Sequence, residues 1–176
     1  MKIKYQPVIL VLFIMCFNCF KTSAQAGIYR TVEDYKKGNA EYVGNMVSYC
    51  TGDFCNAVTF ELNGKEHRYN KSEIWGYRDD SNTNYIFSGK GCLAMILEGK
   101  IILYGGSPDP LAKYDTVIKG SWFYFSDGID GDIKGYKQFP SFIKKTCPLI
   151  YDQWNSSDCT LENCMYGYIK AINSGS

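Results

Sequence analysis

Six cysteines are the residues of this chain best suited to chemistry: Cys50, Cys55, Cys92, Cys147, Cys159 and Cys164. Two pairs, Cys50/Cys55 and Cys159/Cys164, are each separated by four residues. In an oxidising compartment an even number of cysteines reads as a disulfide framework, and six allow 15 connectivities. The matched gaps suggest two local bridges. Elimination then leaves Cys92 to pair with Cys147 over a long loop. The competing chemistry is zinc, whose cysteine ligands sit two to four residues apart, commonly with histidine. Both gaps stand at the edge of that range, so disulfides are the expected use. Aspartates offer a second possibility. Asp127, Asp130 and Asp132 share one glycine-containing turn, and calcium takes oxygen ligands from such turns. Their spacing is not that of an EF-hand, and a solvated hairpin turn accounts for the same residues. His67 is the only histidine. It lies in Lys65-Glu-His-Arg68, with no Gly-x-Ser-x-Gly nucleophile element anywhere in the chain, so acyl-transfer chemistry is not expected. Hydrolysis by a carboxylate pair needs no histidine. Glu61, Glu66, Glu73, Asp79, Asp80 and Asp115 are available for it, and the sequence singles out no two of them. No cofactor motif occurs.

Aromatic residues are the remaining resource. Past residue 26 the chain has 14 Tyr, 7 Phe and 3 Trp. Their faces stack on sugars and anchor protein partners, although sheets enrich them regardless. Trp75 and Trp122 sit in apolar runs and are expected in the core. Tyr77, Tyr104 and Tyr136 are the candidates for ligand contact.

The elements that must position these residues are short and β-rich. Lys2 and Lys4, the apolar run Val8 to Phe17, and the exit Ala24-Gln25-Ala26 have the three-part layout of a signal peptide. Cleavage is expected before Gly27, or before Gln25. The apolar run is shorter than the ~20 residues a spanning helix needs. Met15 and Asn18 before Cys16 and Cys19 do not suit lipoprotein processing. The expectation is an exported protein, periplasmic or secreted, with residues 1–26 removed and residues 27–176 forming one domain. Three of the 19 basic residues fall before Gly27 and none of the 18 acidic ones, so the remainder carries a net charge of −2. That balance argues against a nucleic-acid partner. No second run approaches the length of a membrane span.

Thr31-Val-Glu-Asp34 is a capping box with Asp in the acidic position, which predicts a short helix from Val32 to Lys37, ended by Gly38. Val58 to Leu62 alternates, Asn63-Gly64 follows, and Lys65 to Tyr69 returns, the signature of a hairpin with a type I′ turn. Ile74 to Tyr77 reads as the next strand, and Asp79 to Asn84 as a polar turn. Tyr85 to Ser88 is extended, and Cys92 to Leu97 with Ile101 to Tyr104 makes a second hairpin around Glu98-Gly-Lys100. Thr116 to Ser126 is β-rich, 127–132 is a turn, and Ile133 to Phe139 is expected to return as a strand. Ser141 to Trp154, broken by Pro148, suggests one or two helical turns. Tyr166 to Ile172 is a last strand or short helix. The fold expected is α+β, mainly antiparallel β: a single β-rich domain, a meander or partly open barrel, with a short helix near each end.

Gly27-Ile-Tyr29 and Tyr42-Val-Gly44 have the spacing of the GIY-YIG nuclease motifs, but the arginine-bearing helix that follows in that family is missing after Gly44. A different resemblance covers more of the chain. Gly27 to Gly38 directly after the leader, Ser72-Glu-Ile-Trp-Gly-Tyr-Arg-Asp79, and the strand at Trp122 to Ser126 resemble a group of small exported β-rich proteins of Bacteroidota-type bacteria. The resemblance implies export from a Gram-negative cell and a β-rich fold. It carries no functional residues over. The function expected is a non-catalytic binding or structural domain of the cell envelope, with a protein or glycan partner. The alternatives are a small carboxylate hydrolase and a disulfide-looped inhibitor or immunity-type protein.

Overall fold

A computed structural model describes residues 25–48, 56–89, 91–105, 123–155 and 161–175. Its centre is an eight-stranded antiparallel sheet. The strands are β1 (Gly27–Tyr29), β2 (Glu41–Tyr42), β6 (Gly76–Arg78), β7 (Asn84–Ser88), β8 (Gly91–Leu97), β9 (Ile101–Gly105), β10 (Phe123–Asp127) and β11 (Lys134–Gly135), in the spatial order β11-β10-β9-β8-β7-β6-β1-β2. Six of them, β6 to β11, follow one another as a meander, and β1 closes onto β6 with Ile28 opposite Tyr77. The sheet is not closed into a barrel. A second sheet, β3 (Asn45–Ser48), β4 (Ala57–Leu62) and β5 (Lys65–Asn70), is built on the Asn63-Gly64 hairpin. Both turn residues have positive φ, 57° and 75°, as a type I′ turn requires.

The large sheet is apolar on both faces. On one face the small sheet packs over Ile28, Tyr77, Tyr85, Cys92 and Ala94 through Val58 and Phe60. Beside it, Ile101, Leu103, Phe123 and Phe125 are covered by three helices: α2 (Phe139–Thr146), α3 (Pro148–Asn155) and α4 (Leu161–Ser174). Phe139 and Ile143, one turn apart on α2, point into that cluster with Met165, Ile169 and Ile172 of α4. The other face carries Ile86, Leu93, Met95, Ile102 and Tyr104, topped by Tyr35, Trp75, Ile129 and Ile133. Tyr35 belongs to the short helix α1 (Val32–Lys36), whose Thr31–Asp34 capping box forms as expected.

Helix α1 lies across this second face. The strands β1 and β10 stand five places apart, about 24 Å at ordinary strand spacing. A five-residue helix is only about 7.5 Å long. Yet α1, which follows β1, sends the Tyr35 hydroxyl to Glu98 Oε2 (2.6 Å) and Lys36 Nζ to Asp130 Oδ2 (2.8 Å), in the loops after β8 and β10. The loop after β10, whose Ile129 and Ile133 pack on this face, extends across it to meet α1.

Two expectations are corrected. Only Lys134–Gly135 of the segment 133–139 is strand, and a 3₁₀ turn at Tyr136–Gln138 leads straight into α2. Pro140 lacks the N–H a ladder needs, and its fixed φ suits a first helical turn. The C-terminal part holds three helices rather than short turns, with Pro148 starting α3 instead of merely breaking a helix. The hairpin of residues 57–70 belongs to a separate sheet, joined by β3. The segment 106–122, with Trp122, lies outside the described residues.

Candidate functional site

A partly exposed grouping of aromatic and polar side chains lies where α1 crosses the second face of the large sheet. Tyr29 projects from β1 on that face and is 2% exposed. Its hydroxyl donates to Asn84 Oδ1 (3.1 Å) on β7, and Asn84 Nδ2 donates to Glu98 Oε1 (3.0 Å). Glu98 completes the chain by accepting from Tyr35. The ring of Tyr35 stands edge-on to Tyr29 at 5.4 Å and tilted against Trp75 at 5.1 Å. Burial raises both phenol pKa values above the ordinary value. For Tyr29 the nearby Arg78 opposes the shift, and for Tyr35 the bond to Glu98 adds to it. Both hydroxyls are therefore fixed as donors at neutral pH. Tyr35, Trp75 and Asn84 are half-buried and Glu98 is exposed, so the group presents an aromatic surface edged by one carboxylate and one amide.

Local sequence explains the placement. The chain turns over the sheet at Arg30-Thr31, where the capping box starts α1. Trp75 precedes the strand proper: its N–H bonds to the Tyr29 carbonyl, and its own carbonyl accepts from Phe87. A Cβ on the next residue, Gly76, would lie 2.3 Å from the Tyr85 carbonyl oxygen, so only glycine lets β6 and β7 approach so closely.

The residues singled out from the sequence do not converge here. Tyr77 and Tyr104 are buried, 0% and 1% exposed, which removes both as ligand contacts. Tyr77 stacks on Tyr85 at 4.7 Å between the two sheets, and Tyr104 shares a hydrogen bond with Ser126 (2.9 Å). Tyr136 is half-buried against the helical cluster. Trp75, expected in the core, is half-buried at the edge of the aromatic group.

Asp127, Asp130 and Asp132 are exposed, and Asp130 is paired with Lys36. Among the described residues no three His, Cys, Asp or Glu side chains are grouped to hold a metal. His67 stands opposite Phe60 on β5, half-buried. The acids named from the sequence do not join the aromatic group either. Glu61 and Glu66 are cross-strand neighbours on an exposed face, and Glu73 accepts from the Asn70 backbone, which lowers its pKa. Asp79 is buried within a turn, and Asp115 lies outside the described residues.

The long bridge is also corrected. Cys92 and Cys147 are free thiols. Cys92 sits under the small sheet with its sulfur 3.7 Å from the Tyr77 hydroxyl, whereas Cys147 borders the helical cluster. Pairing by elimination ignored that each belongs to a different part of the core. Cys164 is disulfide-bonded. Cys50, Cys55 and Cys159 lie outside the described residues, and with them both local pairings. Cys147 also lines a shallow, open recess of about 320 Å³ with Lys100, Pro148, Leu149, Ile150 and Ile172.

Sequence reasoning missed Asn84 and Glu98, which read there only as turn residues. Their proximity depends on the register of β7 on β8, which sets the start of one strand beside the end of the other, and neither residue type marks that. Among the described residues every buried side-chain nitrogen and oxygen has a hydrogen-bond partner, and no helix is long and apolar enough to cross a membrane. Comparison with protein-family models, with curated proteins and with solved structures returns no match.

Proposed function

We propose that this chain is an exported, non-catalytic binding domain of the cell envelope that takes a neutral glycan at the Tyr35–Trp75–Glu98 surface. One observation carries the reading: two half-buried rings 5.1 Å apart adjoin a carboxylate and an amide. Aromatic faces cover the apolar side of a sugar ring, and a carboxylate or amide accepts from its hydroxyls. The cross-strand carboxylate pair among the described residues, Glu61 with Glu66, stands on an exposed sheet face and belongs to the small sheet, apart from the aromatic surface.

Calorimetric titration with soluble cell-wall glycan fragments tests the proposal. Trp75→Ala and Glu98→Gln should each weaken binding about tenfold or more while the far-UV spectrum is retained, tenfold being 1.4 kcal/mol. No heat with any fragment, or unchanged affinity in both variants, refutes it.

Export itself is tested by the mature N-terminus. Ala26 is 1% exposed in the core, and the Gln25 carbonyl accepts from Arg78 Nε (3.2 Å) and Nη2 (3.1 Å). Cleavage after Ala24 keeps both contacts, whereas cleavage after Ala26 discards them. Intact mass of the exported protein should therefore give Gln25 as the first residue. An uncleaved or acylated chain would count against the reading.

A further inference from the structure

Strand β5 is an edge. It pairs with β4 on one side, and among the described residues no strand pairs with its other side. Its ladder parity is fixed by the hairpin. Leu62 and Lys65 flank the two-residue turn and are cross-strand partners, as are Phe60 with His67 and Val58 with Tyr69. Residues flanking such a turn exchange hydrogen bonds, and the exchange recurs at every second pair. Lys65, His67 and Tyr69 thus turn their backbone groups toward β4, and Glu66, Arg68 and Asn70 turn theirs outward. Asn70 confirms the parity, because its N–H leaves the sheet for the Glu73 carboxylate (2.6 Å). Glu66 and Arg68 hold the remaining N–H and C=O groups of the edge, which no described residue partners.

Their side chains share the exposed face. Glu66 stands directly opposite Glu61 there, and Arg68 opposite Thr59. Like charges placed opposite one another on a sheet repel. Among the described residues the ion pairs are Arg30–Glu41, Lys36–Glu33 and Lys36–Asp130, so none of them relieves Glu66.

We infer that β5 pairs with β5 of a second copy of this chain, antiparallel about a two-fold axis through His67. In that register Glu66 faces Arg68 of the second copy, and Arg68 faces its Glu66. Both are outward-facing pairs, so four backbone hydrogen bonds form. Each arginine comes beside the Glu61/Glu66 carboxylates, which pair with no cation among the described residues. The neighbouring registers of the same parity put Glu66 against Glu66 or Arg68 against Arg68, and charge excludes them. Registers of the other parity leave the outward groups unmatched. Charged edge strands ordinarily discourage pairing. Here the signs alternate about His67, so the repulsion falls on the wrong registers and spares one. The two small sheets would become one of six strands.

Sedimentation velocity on the mature chain, from micromolar to millimolar concentration, tests the inference. A reversible dimer is expected, with hydrogen-exchange protection of the Glu66 and Arg68 amides that grows with concentration. Glu66→Arg and Arg68→Glu should each abolish the dimer with little change in Tm, and the double variant should recover it. A monomer throughout, single variants that dimerise like the parent, or a dimer without protection at these two amides overturns the inference. None of these readouts involves the aromatic surface, so the outcome is independent of glycan binding.

Discussion

At the scale of single residues, buried polar groups set the sensitivities. Asp79 is 3% exposed; Oδ1 accepts from the Ser81 and Thr83 backbone, and Oδ2 accepts from the Tyr85 hydroxyl. Asp79→Ala leaves those donors unpaired and should lower stability by about 2–4 kcal/mol, read from urea denaturation. Asp79→Asn, which keeps the shape and one acceptor, should cost less. Cys92 gives a pH dependence. Burial pushes its thiol up from an ordinary 9.0 to about 12, partly opposed by Tyr77. Above pH 9 the unfolded chain releases this proton while the folded chain retains it. Its contribution is therefore complete below 9 and declines from there toward 12. In Cys92→Ala the first part of that alkaline decline should disappear, and the buried tyrosines should keep the later part. A thiol reagent should modify Cys147 in the native protein and reach Cys92 only on unfolding. The sequence supplied every one of these side chains without their surroundings. Tyr77 and Tyr104 looked like ligand contacts because strand periodicity does not reveal that this sheet is covered on both faces.

At the scale of elements, two glycines separate strain from collision. Gly64 has φ +75° with open space around its missing Cβ. Gly64→Val meets only the left-handed backbone region and should cost about 1–2 kcal/mol. Gly44 has φ +107°, and a Cβ there would lie 2.0 Å from the Glu61 carbonyl oxygen. Gly44→Ala adds a clash between backbones at the passage from β2 to β3, so its midpoint in thermal denaturation should fall well below that of Gly64→Val. Thr31→Ala removes one half of the capping box and should cost about 1 kcal/mol. Such devices were legible beforehand because they are local: the Thr31–Asp34 box, the Asn63-Gly64 turn and the Glu98–Lys100 hairpin each lie within four residues. The strand expected at 133–139 failed because alternation over Ile133 to Phe139 resembles a helix start once Pro140 is counted.

At the scale of the whole molecule, the meander was readable as a succession of hairpins, which accounts for the antiparallel α+β class. The division into two sheets was not. It depends on Val58 and Phe60 packing across to Ile28, Tyr77 and Ala94, and no spacing along the chain records that contact. The candidate surface was hidden for the same reason, since α1 meets Glu98 and Asp130 across elements distant in sequence. The Lys36–Asp130 pair is exposed, so Lys36→Ala should barely move the urea midpoint, and still less in high salt. Tyr35→Phe removes the bond to Glu98, and exchange of the α1 amides should rise with it.

The pairing of β1 has a temporal consequence. β1 and its near partner β2 come early in the chain, but β6, which joins them to the sheet, follows only after the entire small sheet, with Ile28 waiting for Tyr77. The β4–β5 hairpin closes over two residues and needs nothing distant, and the meander from β6 onward grows by neighbours. Loop-closure entropy favours such near contacts over far ones. The amino-terminal strand is then the last piece of the sheet to find its place. In pulse-labelled refolding, the amides of Phe60 and His67 should gain protection before that of Ile28.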